Sequence, residues 1–476
     1  MTNESQPQAA VVRRGAVLAV LSLAAFMASL DLFIVNVAFD DIGRDFGGTP
    51  LADLSWILNG YAIVFAALLI PLGRLADRYG RKAGFLLGLG LFTAASLACA
   101  LCTDLWPLVI ARLLQAAGAA ALTPASLGLL LAVFPPERRV GAVRVWAATG
   151  ALAAGAGPVV GGLLVEVAWQ WVFVVNVPVG VLAMVAAWRL VPDSRDASVS
   201  RVPDLLGAVI AAVAFGSLSL GLVKGEAWGW ASGGTLGAFV AAAVALAWSW
   251  VRANRHPSPI VEPALLRVRP FAWANLTALL FTAAFAANLL SSLLWMQQVW
   301  GWSALRTGLG FAPGPLMVPL LAAVSQRFAG RVPLGRVAAV GCLLFAAGLA
   351  LVTASVGAEA HYASDLLPGL LIAGAGVGLA LPTILSAASA DLPPSRTATG
   401  SAVVNMSRQV GAVLGVSLLV AVLGTPSTYD EMHTAFVEAS LGCAAVSILA
   451  AAAAPWMSRR RPVTEVEPVP APAAAV

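Results

Sequence analysis

Two side chains of opposite charge sit inside otherwise apolar stretches, and they are the residues best placed to do chemistry: Asp31, within 15–37, and Arg112, within 105–133. A charge held at the middle of a bilayer costs at least ~2.5–3.5 kcal/mol, so an acid retained there points to function. The chemistry open to a lone buried carboxyl is reversible protonation. Asp31 falls about 16 residues from the start of its stretch, or ~24 Å along a helix crossing a ~30 Å core. Arg112 falls about 7 residues past the far-surface end of its stretch, which runs the other way, or ~10 Å deep. The similar depths allow a pair. Apolar walls from Ala25, Leu30 and Leu32 and a nearby guanidinium would pull the carboxyl's proton affinity in opposite directions, leaving it adjustable. The plainer reading is a static ion pair that fixes packing. Arg408 is the other intramembrane cation; it has no acid at its depth in its own half and is expected to snorkel inward. His256, His361 and His433 are scattered, and Cys99-x-x-Cys102 lacks a second pair, so no metal site is expected. All four cysteines read as small apolar packing residues.

The elements that must position these groups follow from composition. Of 476 residues, 60% are apolar and 11% charged, against about 45–50% and about 25% in soluble domains. A soluble chain is excluded. Continuous rather than alternating apolar runs exclude a membrane β-barrel. Fourteen membrane helices fit, at 15–37, 53–72, 83–103, 105–133, 141–165, 171–191, 204–223, 235–252, 271–297, 306–325, 335–354, 365–388, 398–424 and 434–456. Residues 1–14 form a polar N-terminal tail with no cleavage site after it, and 457–476, basic and then Pro/Ala-rich, reads as a disordered tail.

Charge placement sets the orientation. With the N-terminus inside, 23 Lys and Arg fall inside, from Arg13 to Arg461, and only Arg44, Lys224 and Arg306 fall outside. That asymmetry follows the positive-inside rule and puts both termini in the cytoplasm. Arg78-Tyr79-Gly80-Arg81 after the second span is echoed by Arg327-Phe328-Ala329-Gly330-Arg331 after the tenth. The echo suggests two six-helix halves, 15–191 and 271–456, related by an axis along the membrane normal, with the pair at 204–252 inserted between them. The net charge of +5 is carried almost wholly by Arg, and the Ala and Gly richness hints at a GC-rich, bacterial source.

Glycines and prolines mark where helices must bend or approach. The segment Gly73-Arg74-Leu75-Ala76-Asp77-Arg78-Tyr79-Gly80-Arg81-Lys82 joins spans two and three. Gly73 allows close helix approach, Gly80 a tight turn, and Asp77 an anion for a helix N-terminus. Span five carries Gly150, Gly155, Gly157, Pro158, Gly161 and Gly162, and span ten Gly308, Gly310, Pro313, Gly314 and Pro315. The first segment resembles the signature loop of the major facilitator superfamily. The span-five set resembles the antiporter motif of its drug exporters. Leu30 to Ala38, Trp169 to Gly180 and Asn405 to Gly411 resemble motifs of the 14-helix drug:proton antiporters. Gln115-Ala116 and Phe39-Asp40-Asp41 depart from the family pattern.

The resemblance implies an all-α integral membrane protein of the major facilitator fold, two six-helix halves plus two inserted helices. It implies proton-coupled efflux of lipophilic drugs or antibiotics by alternating access, with Asp31 and Arg112 as the coupling pair. Gly73, Asp77, Arg78, Gly80 and Arg81 would form a conformational latch, the acid docking on the helix that begins near Thr397. Gly155, Gly157, Pro158, Gly161 and Gly162 would pack spans five and ten across the two halves. Asn36, Gln115, Asn288, Trp295, Gln298 and Asn405 would line a substrate cavity. The expected partners are a small lipophilic substrate, protons and the bilayer of the bacterial cell membrane; the chain is expected to be a monomer without nucleic acid, cofactor or enzymatic activity. A proton-coupled importer or facilitator of the same fold is the alternative. An ATP-driven pump is excluded, because neither Lys82 nor Lys224 completes G-x-x-x-x-G-K-[ST], and no soluble signalling domain is present.

Overall fold

The computed structural model describes residues 5–196, 201–327, 331–392, 396–426 and 428–458. Among the described residues fourteen helices are long and apolar enough to cross a membrane: Arg14–Val37, Leu51–Tyr79, Arg81–Ala100, Leu105–Val133, Pro136–Val165, Trp171–Leu190, Leu205–Trp228, Gly233–Arg255, Arg269–Val299, Ala304–Ser325, Leu334–Ser355, Tyr362–Ala390, Thr399–Leu423 and Tyr429–Met457. They are numbered here as spans one to fourteen. An even number puts both chain ends at one end of the bundle, called the terminal end below. The first helix reaches back to Ser5, so part of the expected tail is helical. The expected C-terminal tail beyond Ser458 and the Phe328-Ala329-Gly330 part of the repeated loop lie outside the described residues.

Span two is the main correction to the expected boundaries. It does not stop at 72 but continues as one helix to Tyr79. Pro71 lies inside the helix without ending it, and Arg74 and Arg78 can reach water from the helix end. Gly80, at φ 133°, is the sole break before the next helix begins at Arg81. That conformation favours glycine over any residue with a Cβ.

The two halves share a packing device that the sequence comparison of loops did not reveal. A Cβ on Gly88 of span three would lie 2.8 Å from the Gly118 carbonyl of span four, and one on Gly118 would lie 2.9 Å from Phe92 Cα. In spans eleven and twelve a Cβ on Gly341 would lie 2.8 Å from the Gly376 carbonyl, and one on Gly376 would lie 2.9 Å from Phe345 Cα. The same glycine pair and the same phenylalanine one turn later close the same helix crossing in each half. This is what a parallel repeat predicts.

The inserted pair, spans seven and eight, docks through span seven. Asn59 of span two donates to Ser219 of span seven at 3.3 Å and to Ser417 of span thirteen at 3.2 Å, while the two serine hydroxyls are 2.8 Å apart. Lys224 pairs with Asp53 at 2.6 Å beyond this node. At the terminal end Arg252 holds Asp204 through Nε at 2.8 Å to each oxygen, and Arg74 bonds Ser258, the Pro259 carbonyl and Glu262. Span eight leaves Leu236, Val240, Val244 and Trp248 exposed, as a lipid-facing helix should.

Away from the terminal end the halves are in contact. Gln297 donates to the Val37 carbonyl at 2.9 Å and Gln298 to Asp40 at 3.0 Å. Gly162 of span five lies against Ala304 and Leu305 of span ten. Toward the terminal end both spans leave apolar surface exposed, with Val145, Leu152, Leu316 and Leu320 among the exposed residues. At the far end the two halves are thus in contact through spans one, five, nine and ten.

Candidate functional site

Asp31 is fully buried, and five spans of the first half converge on it. Arg112 Nη1 donates to Asp31 Oδ2 in a fully buried ion pair. Asp31 Oδ1 accepts from Gln115 Nε2 at 2.9 Å and from Asn176 Nδ2 at 3.3 Å. Both amides also donate to Ser96, at 2.6 and 3.3 Å. The guanidinium is completed by Gln115 Oε1 at 2.7 Å, by the Ile57 carbonyl at 3.4 Å from Nε, and by the face of Tyr61, 4.2 Å from the ring centroid. The Tyr61 hydroxyl is buried beside this cluster without a partner.

All of Asp31's bonded partners are donors. The geometry therefore fits the ionised carboxylate, with three of its roughly four acceptor positions filled by donors; a proton on Asp31 would remove the charge that holds Arg112. A buried pair is tolerable only when its remaining hydrogen-bonding capacity is met, and here it is met by side chains from spans three, four and six. The expected apolar walls give way to this polar shell: Leu30 lies in the hydrophobic core, while Asn176 donates to the carboxyl and Ser96 accepts from the two amides. Gln115, expected in a substrate cavity, belongs to the shell instead, because three residues after Arg112 it shares its helix face.

The latch segment is positioned by the helix break. Asp77 Oδ1 accepts from Arg81 Nε at 2.6 Å, four residues on and across Gly80. The segment after span six closes over this turn: Arg81 N donates to the Ser194 carbonyl and Asp196 N to the Asp77 carbonyl, both at 2.8 Å. Gly73 sits against Pro124 of span four, where an added Cβ would lie 3.0 Å from the ring. The helix of span thirteen begins at Thr397, but among the described residues it makes no hydrogen bond to Asp77. In this structure the acid is bonded within its own segment, to Arg81. A carboxylate held at a helix N-terminus gains about 0.3–1 kcal/mol, so Asp77→Asn should disfavour whichever state docks it. The expected result is slower transport with normal membrane expression, together with greater labelling of a cysteine at the terminal end. Unchanged transport and labelling would reduce the segment to a charged turn.

Span five faces two ways. A Cβ on Gly157 would lie 2.5 Å from Phe33 Cβ, and one on Gly161 2.9 Å from the Ile34 carbonyl; both pack on span one, inside the first half. The expectation that these two glycines pack across the halves is corrected. Gly162, 2.6 Å from the Ala304 carbonyl by the same measure, does so, as does Gly308 of span ten against Pro158. Gly155 has ordinary contact with Pro315.

The remaining cavity residues are spread over three places. Asn36 donates to the Leu32 carbonyl of its own helix at 2.9 Å. Asn288 is half-buried and accepts from Ser292. Trp295 and Gln298 line a cavity of about 180 Å³ at the far end, with Ser291, Leu423 and Phe436. The indole nitrogen of Trp295 and the hydroxyl of Ser291 are buried without partners. Asn405 accepts from Arg408 Nη1 at 3.2 Å near mid-bundle. Ser96 and Tyr61 were missed because a hydroxyl in an apolar run is an ordinary helix-packing residue; only the fold shows what they face. Glu438, within span fourteen and exposed, is an acid in an apolar run that sequence reading passed over. Among the described residues no group of His, Cys, Asp and Glu is arranged to hold a metal.

Comparison with known proteins agrees with this architecture. The chain is 33% identical over 424 residues to the methylenomycin A resistance protein of Streptomyces coelicolor, covering 88% of each chain. It is 33% identical to the tetracenomycin C resistance and export protein of Streptomyces glaucescens, over 88% of this chain and 78% of the relative. It is 32% identical to the multidrug resistance protein Stp of Mycobacterium tuberculosis, over 84% and 74%. Among solved structures, a peptide transporter POT in complex with sulfate superposes with a TM-score of 0.66 at 18% identity, covering 93% of this chain and 95% of that one. A bacterial homologue of the lysosomal transporter Spinster, inward-facing and unoccupied, also gives 0.66, at 17% identity over 94% and 98%. The family model described as Major Facilitator Superfamily matches residues 21–416. With fourteen spans, the repeated glycine crossings and this match over most of its length, the chain belongs to the major facilitator superfamily.

Proposed function

We propose that the protein is a proton-coupled exporter of a small lipophilic compound, with the terminal end in the cytoplasm. The observation that carries this reading is the Asp31–Arg112 cluster: a single carboxylate, buried beyond reach of water and tied by Gln115 and Asn176 to spans four and six. Such a group is costly to keep unless its charge changes during the cycle. The placement of Lys and Arg supports the orientation, and similar chains are named for resistance or export.

In the arrangement open to the cytoplasm, Asp31 is the anion and Arg112 is engaged. Substrate enters between the halves. Rocking about the spans five and ten crossing opens the other side, where substrate leaves and a proton reaches Asp31. A protonated Asp31 releases Arg112, whose guanidinium keeps Gln115 Oε1 and the Tyr61 face. The polar shell then rearranges, and this favours return to the cytoplasm-open state, where the proton is lost. Substrate and proton thereby act on one two-state equilibrium from two places.

Everted vesicles loaded with the purified protein test the reading. An imposed pH gradient, acidic in the lumen, should drive accumulation of an exported antibiotic, and dissipating the gradient should collapse it. Accumulation indifferent to the gradient would refute proton coupling, and accumulation only in the opposite sense would favour an importer of the same fold.

A further inference from the structure

Arg408 lies nine residues past Thr399 in span thirteen, about 14 Å along the helix and near mid-depth of a ~30 Å core. No carboxylate among the described residues pairs with it. Its Nη1 donates to Asn405 Oδ1 at 3.2 Å, and its Nε is enclosed without any partner. Arg112, the other intramembrane guanidinium, shows what a met cation looks like in this fold: an acid, an amide, a carbonyl and an aromatic face. Asn405 lies one turn toward the terminal end, so snorkelling accounts for the direction of the side chain; it does not account for the enclosed Nε.

The face of span thirteen that carries Arg408 is fixed by its neighbours. Gly411 and Gly415 pack on Leu279 and Ala283 of span nine. Val413 and Ser417 pack on span two through Ala62, Ile63 and Asn59. At 100° per residue Arg408 and Asn405 fall in the sector between these two faces. Val416, Leu419 and Leu423 continue that sector toward the far end, in the same core as Leu30, Ile34 and Val35 of span one. The sector thus lies between span nine of its own half and span two of the first half. Arg408 is half-buried, and in the proposed cycle the substrate passes between the halves, along the sector that carries it.

We propose that Arg408, with Asn405, binds the carboxylate of an amphiphilic organic acid, which makes lipophilic carboxylates the substrate class of this exporter. The assignment rests on the export reading above. A guanidinium offers a planar pair of donors that matches a carboxylate, and an anion arriving there removes the cost of an unpaired intramembrane charge. A lipid phosphate has related chemistry and is the competing source of an anion.

Binding can be read without any gradient, on the full-length protein in phosphatidylcholine nanodiscs, with 1-naphthaleneacetate and the isosteric 1-naphthaleneacetamide as probes. Wild type should bind the acid about tenfold or more tightly than the amide. Arg408→Gln should abolish that preference while leaving amide affinity unchanged, and Arg408→Lys should keep most of it. Wild type binding the two alike, or neither, overturns the proposal, as does an Arg408→Gln protein that keeps the preference or loses both probes equally. In nanodiscs containing phosphatidylglycerol the acid's affinity should hold; Arg408-dependent displacement of the acid by that lipid would assign the site to a headgroup instead. Failure of gradient-driven accumulation in wild type would refute the exporter reading and leave the acid-over-amide contrast standing as a property of the site.

Discussion

The double variant Asp31→Asn/Arg112→Gln is expected to reach the membrane folded and to build no substrate gradient from any imposed pH difference. The single variants are poorer probes. Each removes one member of a fully buried pair and strands the other charge, at a cost of about 3–5 kcal/mol. Arg112→Gln strands a carboxylate that keeps the Gln115 and Asn176 amides, and Asp31→Asn strands a guanidinium that keeps Gln115 Oε1 and the Tyr61 ring. The double variant is neutral, close in shape, and able to bond to the same amides. Its thermal stability should lie near wild type while both singles fall below. Uphill accumulation should vanish, and downhill movement of substrate should persist, because the path between the halves is unchanged. Asp31→Glu should keep part of the coupling. If the double variant still accumulates substrate against a gradient, the proton travels elsewhere. Asp41 then leads the candidates: burial first, and then the neighbouring Asp40 charge, push its carboxyl above the ordinary range, with Glu166 nearby. Asp365 follows, at the same end of the bundle and bonded to Ser364.

What the sequence disclosed, and what it withheld, follows from the range of the forces involved. Membrane spans are local: about 20 apolar residues in a row suffice, and all fourteen were legible, as was the side on which Arg accumulates. The meeting of Asp31 and Arg112 was legible from depth alone, since two costly charges at one level in adjacent helices have few alternatives. The polar shell was not legible. Ser96 and Asn176 are short polar residues in apolar runs, and only tertiary packing brings them together, Asn176 donating to both Asp31 and Ser96. Gln115 was assigned to the cavity by its polarity, though its position one turn from Arg112 already placed it on the same face. The glycines of span five were legible as close contacts but not as to partner: neighbouring positions, Gly161 and Gly162, point 100° apart and meet different helices. The latch was read as a loop because it is charged, whereas charged side chains at a membrane helix end extend the helix into water, and only Gly80 breaks it.

Gly308→Leu should leave the protein unable to close its far end. Gly308 presses on the Pro158 carbonyl of span five, with Pro158 C 2.8 Å and Val159 Cα 3.3 Å from any added Cβ. These are backbone atoms of a packed helix, so no rotamer change makes room. Overpacking costs about 1–3 kcal/mol even where side chains can yield, and here the cost falls on one state alone, the one in which spans five and ten touch. A penalty of about 3 kcal/mol depopulates that state by ~100-fold or more. Neither half is altered internally, so expression and thermal stability should stay near wild type while transport falls by a similar factor. A single cysteine at Ser303, beside the crossing, should become reactive to impermeant reagents from outside the cell. Gly157→Leu provides the contrast: it meets Phe33 within the first half and should lower stability and expression rather than shift the labelling. Wild-type transport by Gly308→Leu would mean that spans five and ten never close against each other in the working cycle, and the alternation would then have to turn on the node of Asn59, Ser219 and Ser417, where the inserted pair joins the two halves.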